Sequence, residues 1–439
     1  MTIPKSNAPP AIKPVYRTAK IDAPIVLSRS LLNLKTGKSE ALGRGTITLK
    51  WRPFPHIDFI IEDASNLAAL KPTTASLKLG RRGPTVSVRA LLKQFGPKSI
   101  SLQGLFREPI CFTRSGELQS VIFHLANFVD YHGEFVERRT LKKSGWAWPG
   151  RLSIEVPPWR IDIDSIPNKK LFDAIRKEGG FAITHAGQLA RLDRNSFTRE
   201  DASAILEDLG LVLSFVRGAW SIPFLRIGYD ATGRWVWKEW EIYKQGEGRA
   251  LSWFDEFRPE GLGQVLRGLV KRRQNAIWKM PLEIAVGWHC ESSSGGGTVE
   301  TALILQQAAL ELLASTLLVD QLNKFTANDF DWKVKAHEKV RSLLTELKVP
   351  TSIPNELDEL QALAKVQVWN DGPRAFTEMR NSVVHSSKLR RLLAASTKAR
   401  LQARHLGAWY LEMSLLALCD YQGNYKNRLL GNPARVPWA

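Results

Sequence analysis

Three side chains near the end of the chain have types and spacing that suit a site acting on a charged substrate. They are Arg380, Asn381 and His385, which belong to the segment RNSVVH in a helix-forming stretch that opens after Gly372-Pro373. A helix advances by about 100° per residue, so Asn381 and His385 lie on one face and Arg380 lies one step around it. All three side chains can address one small volume if the helix frays near His385.

The residues around this motif are strongly basic. Between residues 374 and 404, eight basic side chains accompany a single acid, Glu378. The basic side chains are Arg374, Arg380, Lys388, Arg390, Arg391, Lys398, Arg400 and Arg404. A concentrated positive field around a histidine suits a phosphodiester substrate. Lys388, Arg390 and Arg391 are therefore candidates for contacts with such a substrate, which is RNA if the resemblance described below holds.

Four further residues are candidates for supporting the motif: Glu311, Glu378, Tyr421 and Tyr425. Glu311 is the lone charge in the apolar run 308–318, and a buried carboxylate usually has a partner. It could hold Arg380 or another cation of the same bundle, or it could face solvent. The two tyrosines could bind a substrate phosphate or pack against the end of the bundle.

The elements that carry the motif have the pattern of a helical bundle from residue 298 to residue 439. Thr298 is placed to cap a long helix, and Leu303, Leu310, Leu313 and Leu317 share one of its faces. Four to five helices with short connections predict an antiparallel bundle. The tract SSSGGG at residues 292–297 predicts a flexible linker before this bundle.

The first half of the chain has a different pattern of apolar and polar residues. Short alternating runs punctuated by Gly, Pro and Asn predict a β-rich domain, a sandwich or a barrel, over residues 1–158. Residues 159–291 mix strand and helix patterns and contain many tryptophans, including Trp235 and Trp237. They predict a helix capped by Thr198 and a hairpin that turns at 230–233. The predicted fold class is α+β with several domains.

A second basic stretch lies in this first half. Arg138, Arg139, Lys142 and Lys143 are interleaved with Trp146 and Trp148. Basic side chains pair with phosphates and aromatic rings stack on unpaired bases, so the stretch could bind a single-stranded nucleic acid. The alternative is that the basic side chains form a solvated face and the two tryptophans lie in the core.

The whole composition favours a folded intracellular protein with a polyanionic partner. The chain has 439 residues and a formal net charge of +19, and its length predicts two or three domains. Three widely separated cysteines exclude a disulfide scaffold. The prolines and lysines of the N-terminus do not suit a signal peptide, and no long uninterrupted apolar run occurs, so we expect a cytoplasmic location and no membrane span.

The motif, its helical setting and its basic surroundings resemble the HEPN superfamily of ribonucleases, whose signature is an arginine, a polar residue and, after a short interval, a histidine. The closing segment, ARHLGAWYLEMSLLALCDYQGNYKNRL, is similar to the last helix and tail of HEPN domains in ApeA-like abortive-infection proteins. The resemblance covers about the last 140 residues. It implies a HEPN bundle that pairs with a second copy, so that both motifs line one cleft.

The resemblance also implies an activity, which is cleavage of RNA without a metal ion or other cofactor. The 2′-oxygen attacks the adjacent phosphate and leaves a 2′,3′-cyclic phosphate and a 5′-hydroxyl. His385 moves the proton, Arg380 stabilises the developing charge and Asn381 orients the phosphate or the imidazole. An anti-phage or toxin-like effector is the expected role. A non-catalytic nucleic-acid-binding sensor that uses the bundle only to dimerise, or a scaffold for an acidic protein, remains the alternative.

Overall fold

The protein is described by a computed structural model that covers residues 8–36, 39–62, 75–81, 83–95, 100–106, 108–138, 146–248, 250–293, 297–388, 393 and 395–439. Within these residues, a β-barrel, an eight-stranded sheet and a C-terminal helical region follow one another along the chain. Five of the predicted RNA contacts, Arg139, Lys142, Lys143, Arg390 and Arg391, lie outside the described residues.

The first six strands close into a barrel, in the order β1-β2-β3-β6-β5-β4. Their bounds are β1 Ile25–Thr36, β2 Ser39–Lys50, β3 His56–Glu62, β4 Ala75–Leu79, β5 Thr85–Phe95 and β6 Ile100–Phe106. Alternate side chains of a strand point to opposite faces, and Leu32, Leu34, Leu49 and Phe59 fill the interior of the barrel. The predicted β-rich N-terminal region is confirmed.

The next eight strands form one antiparallel sheet, in the order β7-β14-β13-β8-β12-β11-β10-β9. Their bounds are β7 Ile110–Thr113, β8 Ser120–Ala126, β9 Glu134–Arg138, β10 Trp146–Val156, β11 Trp159–Ser165, β12 Ile183–Arg191, β13 Phe224–Tyr229 and β14 Trp235–Trp240. The predicted boundary at residue 158 falls in the turn between β10 and β11. Leu152 lies opposite Ile163 and Ile154 opposite Ile161, all four buried, so this hairpin belongs to one sheet.

Three helices follow or interrupt this sheet: α1 Lys169–Glu178, α2 Arg199–Arg217 and α3 Gly261–Arg273. The predicted cap of α2 is confirmed, because the Thr198 hydroxyl accepts the Asp201 N–H and the Asp201 carboxylate accepts the Thr198 N–H. The predicted hairpin at 221–244 is also confirmed, since β13 and β14 pair and the turn contains Gly233 at φ +77°. Buried side chains of α2 and α3 share one core with the sheet.

The C-terminal region is helical. Its elements are α4 Lys279–Ser293, α5 Val299–Ser315, α6 Ala327–Trp332, α7 Ala336–Glu346, α8 Asp358–Gln367, α9 Gly372–Val384 and α10 Thr397–Leu418. Thr298 caps α5 by accepting the Thr301 N–H, and Leu303, Leu310 and Leu313 are buried as predicted. The segment Val299–Gln321 is long and apolar enough to cross a membrane, but 61% of its most apolar window is buried, as in a core helix.

The predicted Ser/Gly linker at 292–297 begins inside a helix. Ser292 and Ser293 are the last residues of α4, and Ser292 is buried with its carbonyl accepting a hydrogen bond from Arg404 of α10. Helix α4 packs against α5 and α10 in the same core that includes the sheet. The helices before and after this tract therefore share one apolar core.

The N-terminal arm, residues 9–18, crosses the eight-stranded sheet. Its backbone pairs with Glu137 of β9, and the Ile12 N–H donates to Asp164. Farther along, the N–H groups of Val15 and Tyr16 both donate to Nε2 of buried His124, at 3.1 Å each. Because Nε2 accepts, the proton of neutral His124 lies on Nδ1, 3.1 Å from the Leu225 carbonyl.

Acidification is expected to destabilise the protein through two buried histidines. Burial lowers the pKa of His124 to about 4 and that of His185, which lies against Tyr131 and Phe128, to about 3. The unfolded chain binds protons at these histidines below pH ~6.5 and the folded chain does not. The free energy of unfolding therefore falls by about 1.4 kcal/mol per histidine per pH unit between pH ~6 and ~4.

Urea unfolding at pH 7.5 and pH 5 measures this effect, and His185→Phe should flatten the pH dependence. The matched control is exposed His132 replaced by Gln, which should leave the dependence as it is in the parent protein. Equal stability of the parent protein at the two pH values would contradict the assignment of buried neutral histidines.

Candidate functional site

Helix α9 positions the candidate residues, and its sequence explains both of its ends. Asp371 caps the N-terminus by accepting the Arg374 N–H at 2.9 Å, and Pro373 occupies the first turn, where no N–H is needed. Phe376 and Met379 are fully buried and hold one face in the core. The helix therefore presents the opposite face of its last turn at the surface.

Arg380 and Asn381 lie in this last turn, and His385 follows it. The Arg380 Nη1 donates to the Asn381 Oδ1 at 3.4 Å, and both side chains are half-buried. His385 has left the helical path, with φ −113° and ψ 113°, and its N–H donates to the Asn381 carbonyl at 3.0 Å. The sequence places His385 on the helical face of Asn381, whereas in the structure it directly follows the end of α9.

The imidazole of His385 is exposed, and it makes no hydrogen bond to any described residue. The Arg380 Nε is buried and likewise has no partner in the described part of the chain. A guanidinium and an exposed imidazole are the two kinds of group that can bind an anionic group and exchange a proton with it. The motif thus combines a cation and an acid–base group within one short stretch.

Glu378 connects the helix to the segment after His385. Its buried carboxylate accepts from the Lys388 Nζ at 3.2 Å and lies 3.7 Å from the Arg374 Nε. Lys388 belongs to a short 3₁₀ turn, Ser386–Lys388, directly after His385. The Glu378–Lys388 pair therefore restrains the segment that carries His385, and it neutralises part of the positive charge counted in the sequence.

A second histidine, His337 of α7, lies near the start of α9 and is not apparent from the motif. Its Nε2 is 3.0 Å from the Arg374 Nη1. An arginine can only donate, so Nε2 accepts and the ring proton lies on Nδ1. Burial, followed by Arg374 and Arg341, lowers the pKa of His337, which favours this neutral form. The only sequence signal was that His337 and Arg341 stand four residues apart on one helix face.

Three of the predicted supporting residues lie elsewhere. Glu311 is paired with Lys339 at 3.9 Å and accepts from Gln307, so its cation is not Arg380. Tyr421 and Tyr425 are buried. The Tyr421 hydroxyl donates to the Asn424 carbonyl, and the Tyr425 hydroxyl accepts from the Trp409 Nε1. Both tyrosines fill the core at the end of α10, which is the packing alternative that the sequence left open.

In the first half of the chain, the aromatic pair Trp146–Trp148 is accessible. Trp146 is 46% exposed, its ring lies 4.9 Å from that of Trp148, and exposed Arg138 stands opposite it in the β9–β10 register. Trp237 is buried in the core, while Trp235 lies under the Arg114 guanidinium, 3.5 Å from the ring centre. Among the described residues of the predicted aromatic and basic stretch, Trp146 and Arg138 are therefore exposed.

Metal-ligating side chains do not gather in the described part of the chain. Among those residues, no group of three or more His, Cys, Asp and Glu could hold a metal ion. Cys111, Cys290 and Cys419 are free thiols.

Two regions of the chain match domain families of known proteins; the first contains most of the sheet and the second contains the motif. Residues 113–248 match the YopA central domain, and residues 275–436, which contain Arg380, Asn381 and His385, match the YopA C-terminal domain. Over 354 residues the chain is 28% identical to the SPbeta prophage-derived uncharacterized protein YopA of Bacillus subtilis (strain 168). The alignment covers 78% of this chain and 77% of that relative. No solved structure matches the chain.

Proposed function

We propose that the protein is a metal-independent RNA endonuclease whose C-terminal helices form a HEPN-type bundle. The observation that carries the proposal is the end of α9, where the side chains of Arg380 and Asn381 are linked in the last turn and the exposed His385 is the first residue after the helix. The proposal rests on the resemblance of this motif and its helical setting to HEPN ribonucleases.

The reaction assigns one task to each side chain. The ribose 2′-oxygen loses its proton to a neutral His385 and bonds to the adjacent phosphorus. The bond from phosphorus to the 5′-oxygen then breaks, and that oxygen takes up a proton. The products are a 2′,3′-cyclic phosphate and a 5′-hydroxyl. Arg380 offsets the negative charge that develops on the phosphate oxygens, and Asn381 orients the group.

The resemblance to HEPN ribonucleases, in which two bundles pair so that both motifs line one cleft, implies a second copy of the chain. One imidazole that has accepted the 2′-proton is not also available to protonate the leaving oxygen at the same moment. A homodimer that brings two α9 ends into one cleft supplies a second His385 as the acid. We therefore include a homodimer through the C-terminal helices in the proposal, with a cytoplasmic site of action.

The biological role proposed is that of an anti-phage or toxin-like effector. The similar YopA of Bacillus subtilis is described as prophage-derived. Prophages compete with other phages for one host, and an RNA endonuclease that halts host translation serves that competition. The front half of the chain would then sense a trigger or hold the RNA.

The experiment that tests the chemistry analyses the ends of the cleaved RNA. Purified protein is incubated with total RNA in the presence and absence of EDTA, and the fragments are examined for cyclic phosphates and 5′-hydroxyls. We expect both ends, and an unchanged rate in EDTA. Fragments with 5′-phosphates, or cleavage that EDTA abolishes, would replace the proposal with a metal-dependent nuclease.

The second candidate function is RNA binding without cleavage, and the exposed Trp146 beside Arg138 favours it. Trp146→Ala is expected to weaken binding of single-stranded RNA by about 1–3 kcal/mol, because one stacked base is lost. Filter binding at several salt concentrations measures this loss. Trp332→Ala, at an 84% exposed tryptophan on α6, is the control and should bind as the parent protein does. Equal RNA affinities of the two variants would show that Trp146 does not contribute to RNA binding.

A further inference from the structure

A small polar cavity lies between the end of α4, the middle of α5 and the middle of α10. Its volume is about 230 Å³, and the C-terminal tail closes one side with Arg428. The polar side chains that line it include Gln306, Arg404, His405 and Arg428. None of them belongs to the motif at the end of α9.

The lining contains hydrogen-bond donors that the described protein leaves unused. Arg404 donates through Nη2 to the Ser292 carbonyl at 3.0 Å, and its other nitrogens have no partner among the described residues. Gln306 is 1% exposed, and neither atom of its amide has a hydrogen bond within the described chain. A buried amide without partners is costly, so a group that binds in the cavity and accepts from Gln306 offsets that cost.

The charges around the cavity are unbalanced. Glu412, fully buried beneath it, binds Arg428 through two hydrogen bonds of 2.7 and 2.6 Å. Arg404 has no carboxylate within 4.0 Å in the part of the chain that the structure describes. Burial and the neighbouring Arg428 lower the pKa of Arg404, and burial, Arg428 and Arg404 lower that of His405. An anion in the cavity would relieve this concentration of positive charge.

The volume of the cavity limits the size of the anion that can bind in it. Pockets for drug-sized ligands occupy roughly 300–1,000 Å³, so about 230 Å³ suits a single tetrahedral oxyanion with a small attached group. Two arginines and an amide that line one cavity offer the kinds of donor that bind the oxygens of a phosphate. We propose that Gln306, Arg404 and Arg428 bind a phosphate group, either as free phosphate or as the phosphoryl group of a small metabolite.

Calorimetric titration of the full-length protein tests this site with inorganic phosphate, AMP and adenosine at constant ionic strength. Phosphate is expected to bind saturably with one site per chain. Arg404→Gln should weaken it at least tenfold, and Gln306→Leu, which keeps the volume of the side chain, should weaken it as well. AMP that binds more tightly than phosphate, with adenosine inactive, assigns the site to a phosphoryl group, whereas equal or weaker AMP binding assigns it to free phosphate.

Arg400→Gln is the matched control, because Arg400 lies one turn earlier on α10, is paired with Glu300 and does not line the cavity. It should bind phosphate as the parent protein does. If Arg400→Gln and Arg404→Gln weaken binding equally, or if chloride at the same ionic strength displaces phosphate fully, the site is not specific and the proposal is overturned. Thermal protection by phosphate relative to chloride in the parent protein gives a second readout that needs no variant, and its absence also overturns the proposal.

Discussion

His385→Ala is expected to lower the rate of RNA cleavage by about 10²–10⁴-fold, because removal of a positioned acid–base group has an effect of this size. The change should not disturb the fold, since the imidazole is exposed and bonds to no described residue. Single-turnover cleavage of a labelled RNA measures the rate. The control is His132→Ala, an exposed histidine at the sheet, which should cleave at the parent rate.

Arg380→Ala, at the same site, is expected to lower the rate of RNA cleavage by about 10²–10³-fold. Arg380→Lys should recover only part of this rate, because a lysine keeps the charge but not the forked donors. Arg374→Ala serves as the matched control, since Arg374 is on the same helix but faces His337 and Glu378. Undiminished cleavage in both Arg380→Ala and His385→Ala would refute the assignment of the site.

Arg428→Ala is expected to lower the free energy of unfolding by about 3–5 kcal/mol, because it leaves the Glu412 carboxylate buried without its partner. Glu412 is fully buried, and the Arg428 side chain is 6% exposed. The two hydrogen bonds of this pair also attach the C-terminal tail to α10. Urea unfolding followed by tryptophan fluorescence measures the change.

The double variant Arg428→Met with Glu412→Leu should recover most of the lost stability, since apolar side chains of similar volume remove both buried charges together. Lys398→Ala is the control. Lys398 pairs with Asp358, and both side chains are 58% exposed, so its loss should leave the stability unchanged. An Arg428→Ala variant that is as stable as the parent protein would contradict a stabilising role for the Arg428–Glu412 pair.

The sequence patterns predicted several elements because their causes are local. Thr198 and Thr298 cap helices through atoms only three residues away, and the hairpin at 230–233 depends on its own turn residues. The alternation of apolar residues similarly predicted a β-rich N-terminal region. It did not distinguish barrel from sandwich, because closure depends on which strands pair across long stretches of chain, such as β1 with β4.

The elements that were predicted incorrectly depend on distant contacts. The segment 397–421 predicts one helix with Gly423 as its stop. Helix α10 ends instead at Leu418, because Arg272 of α3 donates to the Leu418 carbonyl and Gly268 allows α3 to approach Cys419 closely. The segment 331–349 predicts another single helix, but α6 ends at Trp332 and α7 begins at Ala336. The predicted boundary at 158 lies in the turn between β10 and β11, whose paired residues share one buried face.

The candidate site was predictable in its residues and not in its surroundings. Arg380, Asn381 and His385 are close in sequence, so their proximity follows from the helix and its end. The contact of His337 with Arg374, and the restraint of Lys388 by Glu378, arise from packing of α7 on α9 and from the turn after His385. Tyr421 and Tyr425 are adjacent to the bundle in sequence, but packing turns them into the core.

The most direct test of the central claim is to sequence RNA ends in cells that express the parent protein or His385→Ala at equal levels. The account predicts 5′-hydroxyl ends at defined positions in the parent sample and their loss in the His385→Ala sample, with parent-like ends for the control His132→Ala. The same ends in the His385→Ala sample, or no new ends in the parent sample under phage infection, would contradict an RNA endonuclease that acts through His385.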